Sequence, residues 1–342
     1  MTRFYNIGAI IVICLQAITI RAQVINDKSD VACAKNKAWL ERCWSQGVRA
    51  RLPNGTLYLK ETAQTPTTIS CGYVEAEIPS GYWIPADHPT LANWRDDKGR
   101  LHPIGSRICQ LTPGIPAIRI RGASFRVAGF PMFEGQGTAA AIEMEGRAVG
   151  VATNDARIEA NFRNWVQAVK CLGGYYQDGK FVHDEQQAAD STFTGRVERC
   201  DSIIRLDNQQ AVNWRIDAFY MGAMPGGKSV LVDCQRGGSL TANITVASSP
   251  ATILRLADYS DNNCNFDFQL WFDGMSGGQA DFTLVDLAKP ENWWAPWSIK
   301  MRGFSAQQRF GGTNSTKTCW HYNVPENMNR KFWDIDLDYI GK

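Results

Sequence analysis

The feature that most constrains this chain is the density of short segments in which apolar and polar residues alternate with period two. After about residue 112 these segments follow one another closely and are bounded by Gly, Asn, Asp or Pro. Strands at this density, with short turns and no βαβ alternation, predict an antiparallel β-sandwich or barrel over residues 113–342. The segments are Ala117–Arg121, Ser124–Phe130, Ala139–Ala152, Val212–Met221, Ser229–Cys234, Leu240–Ala247, Thr252–Ala257, Phe266–Phe272, Asp281–Leu287, Trp297–Phe304 and Phe332–Ile340.

The helical period of 3.6 residues occurs in two places, so we expect a mainly β protein with one or two helices. The first predicted helix spans Ala34–Ser45. The second spans about residues 155–172 and can be capped by Asn154 or Asp155. Their apolar faces are formed by Trp39, Leu40, Cys43 and Trp44 in the first, and by Ile158, Phe162, Trp165, Val166, Val169 and Leu172 in the second.

Residues 1–22 have the layout of a secretory signal peptide. Arg3 precedes an apolar stretch, Ile7–Ile20, that fits the roughly 7–15 residues of such a signal and falls short of the ~20 that a membrane-spanning helix needs. We predict cleavage after Ala22 and a secreted, extracellular protein; an N-terminal membrane anchor is the alternative. We expect no other membrane span.

The charge of the chain argues against some partners. Without residues 1–22 it has 34 basic and 34 acidic residues and no run of Lys or Arg. Such a balance gives little non-specific attraction for nucleic acid, so we expect no nucleic-acid partner.

The cysteines after residue 22 predict disulfide bonds in an oxidising compartment. None lies in a C-x-x-C pair, and the four histidines show no metal-ligand spacing, so we expect no structural metal. If Cys33 and Cys43 share the first helix they lie ~15 Å apart, too far for a bond to each other, and Cys71 or Cys109 become candidate partners. The candidates are Cys33, Cys43, Cys71, Cys109, Cys171, Cys200, Cys234, Cys264 and Cys319.

Residues 23–112 differ in character from the rest of the chain. They hold four of these nine cysteines and many prolines, which favours a loop-rich, disulfide-held module. Pro113–Pro116 is the predicted boundary.

Gly222–Ser229 matches the phosphate-loop pattern G-x-x-x-x-G-K-S. Such a loop opens into a helix whose N-terminus faces the phosphates, whereas Val230–Asp233 has the pattern of a strand. We therefore predict a glycine-rich turn without a bound nucleotide, and no cofactor.

Gly274–Gly278 has the pattern G-x-S-x-G around Ser276. It is similar to the nucleophile elbow of α/β-hydrolases and to the serine loop of chymotrypsin-like proteases, which implies a secreted serine hydrolase. A tight surface turn is the alternative. The first resemblance implies Asp281 or Asp286 and His321 as partners, and the second an upstream histidine among His88, His102 and His183.

Asp334, Asp336 and Asp338 alternate with apolar residues, which places all three carboxylates on one face of a strand. Crowded carboxylates raise each other's pKa, so that one can act as an acid and another as a base or nucleophile. The run resembles the Glu-x-Asp-x-Glu catalytic strand of concanavalin-like endoglucanases and xyloglucan-modifying enzymes. The resemblance implies glycan cleavage, while a solvated terminal strand is the alternative.

Trp293, Trp294 and Trp297 lie close together beside a proline, where they cannot all turn inward. Exposed tryptophans of this kind can stack on sugar rings, although core packing is the alternative. Asp258, Asp261, Asn263 and Asn265 are candidate calcium ligands. The sequence also contains glycosylation sequons at Asn54, Asn243 and Asn314.

Three functional hypotheses follow. The first is a secreted, disulfide-stabilised β protein that binds an extracellular ligand, most plausibly glycan or a cell surface, through the tryptophans. The second is an extracellular glycan-cleaving enzyme that uses the three aspartates. The third is a serine hydrolase that uses Ser276.

Overall fold

The computed structural model describes residues 24–62, 67–69, 72–80, 105–122, 124–148, 151–184, 188–227, 229–236, 238–247, 252–257, 264–273, 282–287, 297–305, 320–323 and 333–339. These residues form helix α1 (Asp30–Ser45) and 25 strands. The first strands are β1 Ala50–Leu52, β2 Gly55–Leu59, β3 Thr68–Ile69, β4 Tyr73–Ala76, β5 Ser106–Gln110, β6 Ile118–Ile120, β7 Arg126–Ala128, β8 Met132–Glu134 and β9 Ala140–Met144. Those in the middle are β10 Arg147–Ala148, β11 Val151–Ala152, β12 Arg157–Glu159, β13 Asn161–Cys171, β14 Gly174–Gln177, β15 Lys180–His183, β16 Thr192–Leu206 and β17 Trp214–Met221. The last are β18 Val230–Cys234, β19 Leu240–Val246, β20 Thr252–Leu256, β21 Cys264–Phe272, β22 Phe282–Leu287, β23 Trp297–Ser305, β24 Trp320–Asn323 and β25 Trp333–Tyr339.

The described strands wind into a β-solenoid, in which each strand pairs with the equivalent strand one coil before and one coil after. Strand β17 lies between β16 and β19, so Arg215 is opposite Thr192 on one side and Thr241 on the other. One such ladder contains ten parallel strands, β1, β4, β7, β12, β16, β17, β19, β21, β23 and β25.

The predicted antiparallel sandwich or barrel is therefore wrong. Only β10 with β11 and β14 with β15 are antiparallel among the described strands. The alternation of apolar and polar residues correctly locates β17–β23 and β25 but not the long strands β13 and β16, and it is the same for either direction of pairing. Parallel neighbours usually need a helical crossover, whereas in a solenoid the rest of the coil makes the crossover with further strands.

The cross-section changes along the solenoid. The first three coils have three short strands each, β13 replaces two of these strands in the fourth coil, and from β17 to β24 each coil has two strands. Strand β13 pairs with β8 through residues 161–163 and with β9 through residues 167–171. Asn164 (φ 60°) and Arg199 (φ 49°) lie at the bends of β13 and β16 in the left-handed region, which turns the chain without ending the strand.

This bend explains why the predicted helix at about 155–172 is wrong. Those residues form β12 and β13. Phe162 lies inward before the bend and Trp165 lies inward after it, because left-handed Asn164 resets the alternation. The resulting spacing of three residues imitates the period of a helix.

Helix α1 confirms the other helical prediction and covers the first coil. It begins four residues earlier than expected, because Ser29 caps it: the backbone N–H of Ala32 donates to Ser29 Oγ at 3.2 Å. Trp39 and Leu40 are buried on the side that packs against β1 and β2. None of the described helices has the length and apolar character to span a membrane.

Inward side chains stack from coil to coil into one core that includes α1 and extends as far as Met301. Phe162 lies between Phe133 and Phe193, with ring centroids 5.4 Å away on each side. Pro113–Pro116, the expected boundary, lies between β5 and β6 of a single coil, and β4 before it pairs with β7 after it.

The predicted disulfide-rich N-terminal module is also wrong for the described residues. Cys33, Cys43 and Cys109 have free, buried thiols, as do Cys171 and Cys200 in later coils, and no disulfide joins described cysteines. These residues occupy inward positions, where cysteine packs as a small apolar side chain. Cys71 and Cys319 lie outside the described residues.

Candidate functional site

The outward side of the long ladder from β12 to β25 is a regular surface, and we call it the groove face. Because strands alternate in and out and stack in register, its side chains form rows that cross the strands. The first row is Asp155, Asp190, Asn213, Ser239, Asn265 and Ser298, and the second is Arg157, Thr192, Arg215, Thr241, Asp267, Lys300 and Asp334. The third is Glu159, Thr194, Asp217, Asn243, Gln269, Arg302 and Asp336, and the fourth is Arg196, Phe219, Thr245, Trp271, Phe304 and Asp338.

A groove of about 1030 Å³ follows the first two rows. It runs across six successive coils, from β12 to β23, which at ~4.8 Å per strand gives a length of about 24 Å. Trp214, Leu240 and Phe266 are buried between the two rows and support its floor. The groove is thus long, polar at its walls and built on the rigid sheet.

The first row is held in place by its own hydrogen bonds. Asn213 Nδ2 donates to Asp190 Oδ1 at 3.0 Å, and the backbone N–H of Asn213 donates to Ser239 Oγ at 3.0 Å. Asp155, Asp190 and Asn213 all have positive φ at the corner before the strands, a conformation that Asp and Asn tolerate better than most residues. This explains why the wall consists of short Asp and Asn side chains.

Asp155 closes one end of the first row as an anion. Arg126 Nη2 donates to Asp155 Oδ2 at 2.9 Å, and this hydrogen bond lowers the pKa of Asp155. Its charge is therefore already compensated within the protein.

The second row differs from the first, because its four central side chains do not form ion pairs or hydrogen bonds with one another. Arg215, Thr241, Asp267 and Lys300 lie on four successive strands, and among the described residues none of them forms an ion pair or a side-chain hydrogen bond. The row therefore offers guanidinium, hydroxyl, carboxylate and ammonium groups, one per coil, to a ligand in the groove.

The three aspartates singled out in the sequence lie on the groove face. Asp334, Asp336 and Asp338 are exposed on β25, while Ile335 and Leu337 pack against the core. They extend the second, third and fourth rows by one strand.

Asp334 has a partner on the neighbouring strand. Arg302 donates from Nη1 to Asp334 Oδ1 at 3.1 Å and from Nη2 to Asp334 Oδ2 at 2.5 Å. These hydrogen bonds lower the pKa of Asp334 and keep it ionised near neutral pH.

Only some of the other predicted site residues lie in the described part of the chain. Asn54 accepts a hydrogen bond from the backbone of Gly105, Asn243 is exposed in the third row, and Asn265 lies in the first row. Trp297 begins β23 and His321 belongs to β24. The candidates outside the described residues are Trp293, Trp294, Ser276, Asp281, His88, His102, Asp258, Asp261, Asn263 and Asn314.

Two chemical expectations can be compared with the structure. Strand β18 begins at Val230, directly after the glycine-rich turn, so the helix that a phosphate loop requires is absent from this described part of the chain. Where side chains are described, no group of three His, Cys, Asp or Glu residues is arranged to hold a metal ion.

Sequence reasoning missed the central groove residues Arg215, Thr241, Asp267 and Lys300. They come together only because successive coils stack, and the coils differ in length. Thr241 lies 26 residues from its neighbours on both sides, but Lys300 lies farther from Asp267 along the chain. No fixed period in the sequence could reveal the row.

The chain matches no family model, no curated protein and no solved structure. The functional argument therefore depends on the geometry and chemistry of the groove face.

Proposed function

We propose that this protein binds an extended polysaccharide along the groove face. The observation that carries the proposal is the groove of about 1030 Å³ over six coils, with the unengaged polar groups of Arg215, Thr241, Asp267 and Lys300 along one wall. A sugar chain presents hydroxyl groups that both donate and accept hydrogen bonds, so it complements a wall of mixed donors and acceptors.

The distance between side chains along the groove wall matches the repeat of a linear sugar polymer. Side chains on alternate coils are ~9.6 Å apart, comparable with the length of a disaccharide in an extended chain. A ligand with a repeating unit can therefore meet a polar side chain at regular intervals along the solenoid axis.

Other linear ligands fit the groove less well. An extended peptide gains most of its affinity from a free sheet edge or from apolar pockets, whereas β16, β17, β19 and β21 are paired on both sides and the groove walls are polar. Nucleic acid needs a predominantly basic surface, but the groove alternates Asp with Arg and Lys.

A glycan array followed by isothermal titration tests this proposal. Arg215→Ala and Asp267→Asn each remove one charged hydrogen-bonding group, so we expect Kd to rise by about tenfold or more. Lys35→Ala removes an exposed cation from α1 and serves as the matched control, with Kd unchanged. Absence of any polysaccharide binding, or groove variants that bind like the wild type, would overturn the proposal.

We further propose that the protein is secreted, which would place the groove face in contact with extracellular polysaccharides. It rests on the signal-like residues 1–22, and mass spectrometry of the native protein tests it. An N-terminus near residue 23 is expected, while a retained leader would contradict it.

A second candidate function is cleavage of the bound glycan by the aspartates of β25. Asp334 and Asp336 lie two residues apart on one strand, roughly 6.6–7 Å, which is within the range found between the acid and base of inverting glycosidases. Asp334 and Asp336 would supply the two carboxyl groups that such hydrolysis requires. Release of reducing sugar that is lost in Asp336→Asn, with binding retained, would support cleavage; binding without release would exclude it.

A further inference from the structure

The fourth row of the groove face carries a pair of aromatic side chains, Trp271 and Phe304. Trp271 is 40% exposed, and its ring meets that of Phe304 on the next strand with centroids 3.7 Å apart and planes at 86°. Its neighbours along the strand, Leu270 and Phe272, are buried, so the indole is directed outward.

Polar side chains surround this aromatic pair. Gln269 and Arg302 lie beside it in the third row, Thr245 precedes Trp271 in the fourth row, and Asp338 follows Phe304. An apolar partner would remove water from Gln269, Thr245 and Asp338 without offering them hydrogen bonds, at a cost in free energy. A pyranose ring suits the arrangement, since its C–H face can cover the indole while its hydroxyl edge reaches the polar rim.

The aromatic pair is too far from the groove for one linear chain to contact both. Trp271 is four residues from Asp267 and Phe304 is four residues from Lys300, which is about 13 Å along each strand. A polysaccharide that follows the groove therefore runs parallel to the fourth row and does not cross it.

We propose that Trp271 and Phe304 form a second sugar subsite, which receives a side branch of the polysaccharide bound in the groove. The inference rests on the proposed function and narrows the ligand to a branched polymer. The branch crosses the third row, where Gln269 and Arg302 contact it.

Titration with paired linear and branched probes tests this inference. The pairs are cellohexaose with xyloglucan oligosaccharide and xylohexaose with arabinoxylan oligosaccharide, and each branched member carries side chains of two or three sugars, which can span the roughly 13 Å from the groove to Trp271. For at least one pair the wild type should bind the branched member about two- to tenfold more tightly, the size expected of one aromatic contact. Trp271→Ala should abolish that preference and leave affinity for the linear member unchanged.

The control is Phe181→Ala, which removes another exposed aromatic ring, on hairpin strand β15 away from the groove face, and should keep the preference. Thermal unfolding of each variant verifies that it folds. Equal binding of linear and branched probes, or a preference that survives Trp271→Ala, overturns the branch subsite while leaving the groove proposal in place. If no member of any pair binds, both proposals fail.

Discussion

At the scale of single residues, Glu61 shows how burial controls a charge in this fold. Its carboxylate lies beneath α1 and accepts hydrogen bonds from the backbone N–H and the hydroxyl of Thr67. Burial nevertheless dominates and raises the pKa of Glu61 above its usual value. A carboxyl whose pKa is raised by folding stabilises the protein below its unfolded pKa and loses that contribution as the pH rises through its folded pKa.

Glu61→Gln should remove this pH dependence, because the amide does not ionise and can still bond to Thr67. The free energy of unfolding of the variant minus that of the wild type should increase between about pH 4.5 and neutrality, by ~1.4 kcal/mol for each unit by which the folded pKa is raised. Denaturant titrations of both proteins from pH 4 to 7.5 measure this difference in the free energy of unfolding. A difference that is flat or decreases with pH would contradict the assignment.

The buried thiols lead to a second prediction at this scale. Burial raises the pKa of both Cys109 and Cys200 to about 12, so only roughly one thiol in 10⁴ is ionised at pH 8. Alkylation of the folded protein should leave Cys33, Cys43, Cys109, Cys171 and Cys200 unmodified, and alkylation in guanidinium chloride without reductant should label all five. A peptide that becomes reactive only after reduction would indicate a disulfide.

At the scale of elements, α1 closes the end of a core that would otherwise be open at the first coil. Asn36 Nδ2 donates to the backbone oxygen of Tyr58 on β2 at 3.0 Å, and Trp39 is buried beside it. The helix therefore contributes to stability mainly through its buried face.

Substitutions in α1 test this role. Trp39→Ala should lower the free energy of unfolding by about 3–5 kcal/mol through the cavity it leaves, and Ser29→Ala by about 1 kcal/mol through the lost cap. Lys35→Ala, exposed on the same helix, should change it little. Equal effects of Trp39→Ala and Lys35→Ala in denaturant titrations would show that the helix is not packed on the coil.

At the scale of the whole molecule, each coil contacts only its neighbours, so stability is distributed along the solenoid axis. A second ladder of parallel strands, β16, β18, β20 and β22, carries ion pairs that join its coils: Arg205 contacts Asp233 at 3.5 Å and Arg255 contacts Asp286 at 2.8 Å. Central coils have neighbours on both sides, whereas β25 pairs with β23 alone among the described strands.

Hydrogen exchange should follow this gradient. Backbone amides of β13 and β16 should exchange slowest, and those of β25 markedly faster, because opening a terminal coil breaks one interface and opening a central coil breaks two. Peptide-resolved mass spectrometry can measure the rates. Uniform protection from β13 to β25 would mean that the solenoid opens only as a single unit.

The sequence by itself determined the local structure: the strands, whose period-two alternation fixes which side chains are buried, helix α1 with its apolar face, and the common face of Asp334, Asp336 and Asp338. The sequence-based prediction failed around Asn164, whose left-handed conformation shifts the alternation of buried residues. The resulting apolar spacing resembles that of a helix. Only the tertiary structure decided which strands pair, because alternation specifies the faces of a strand but not its neighbour or the direction of that neighbour. The groove depends on this pairing, since Arg215, Thr241, Asp267 and Lys300 are remote in the chain and come into one row only when coils of unequal length stack in register.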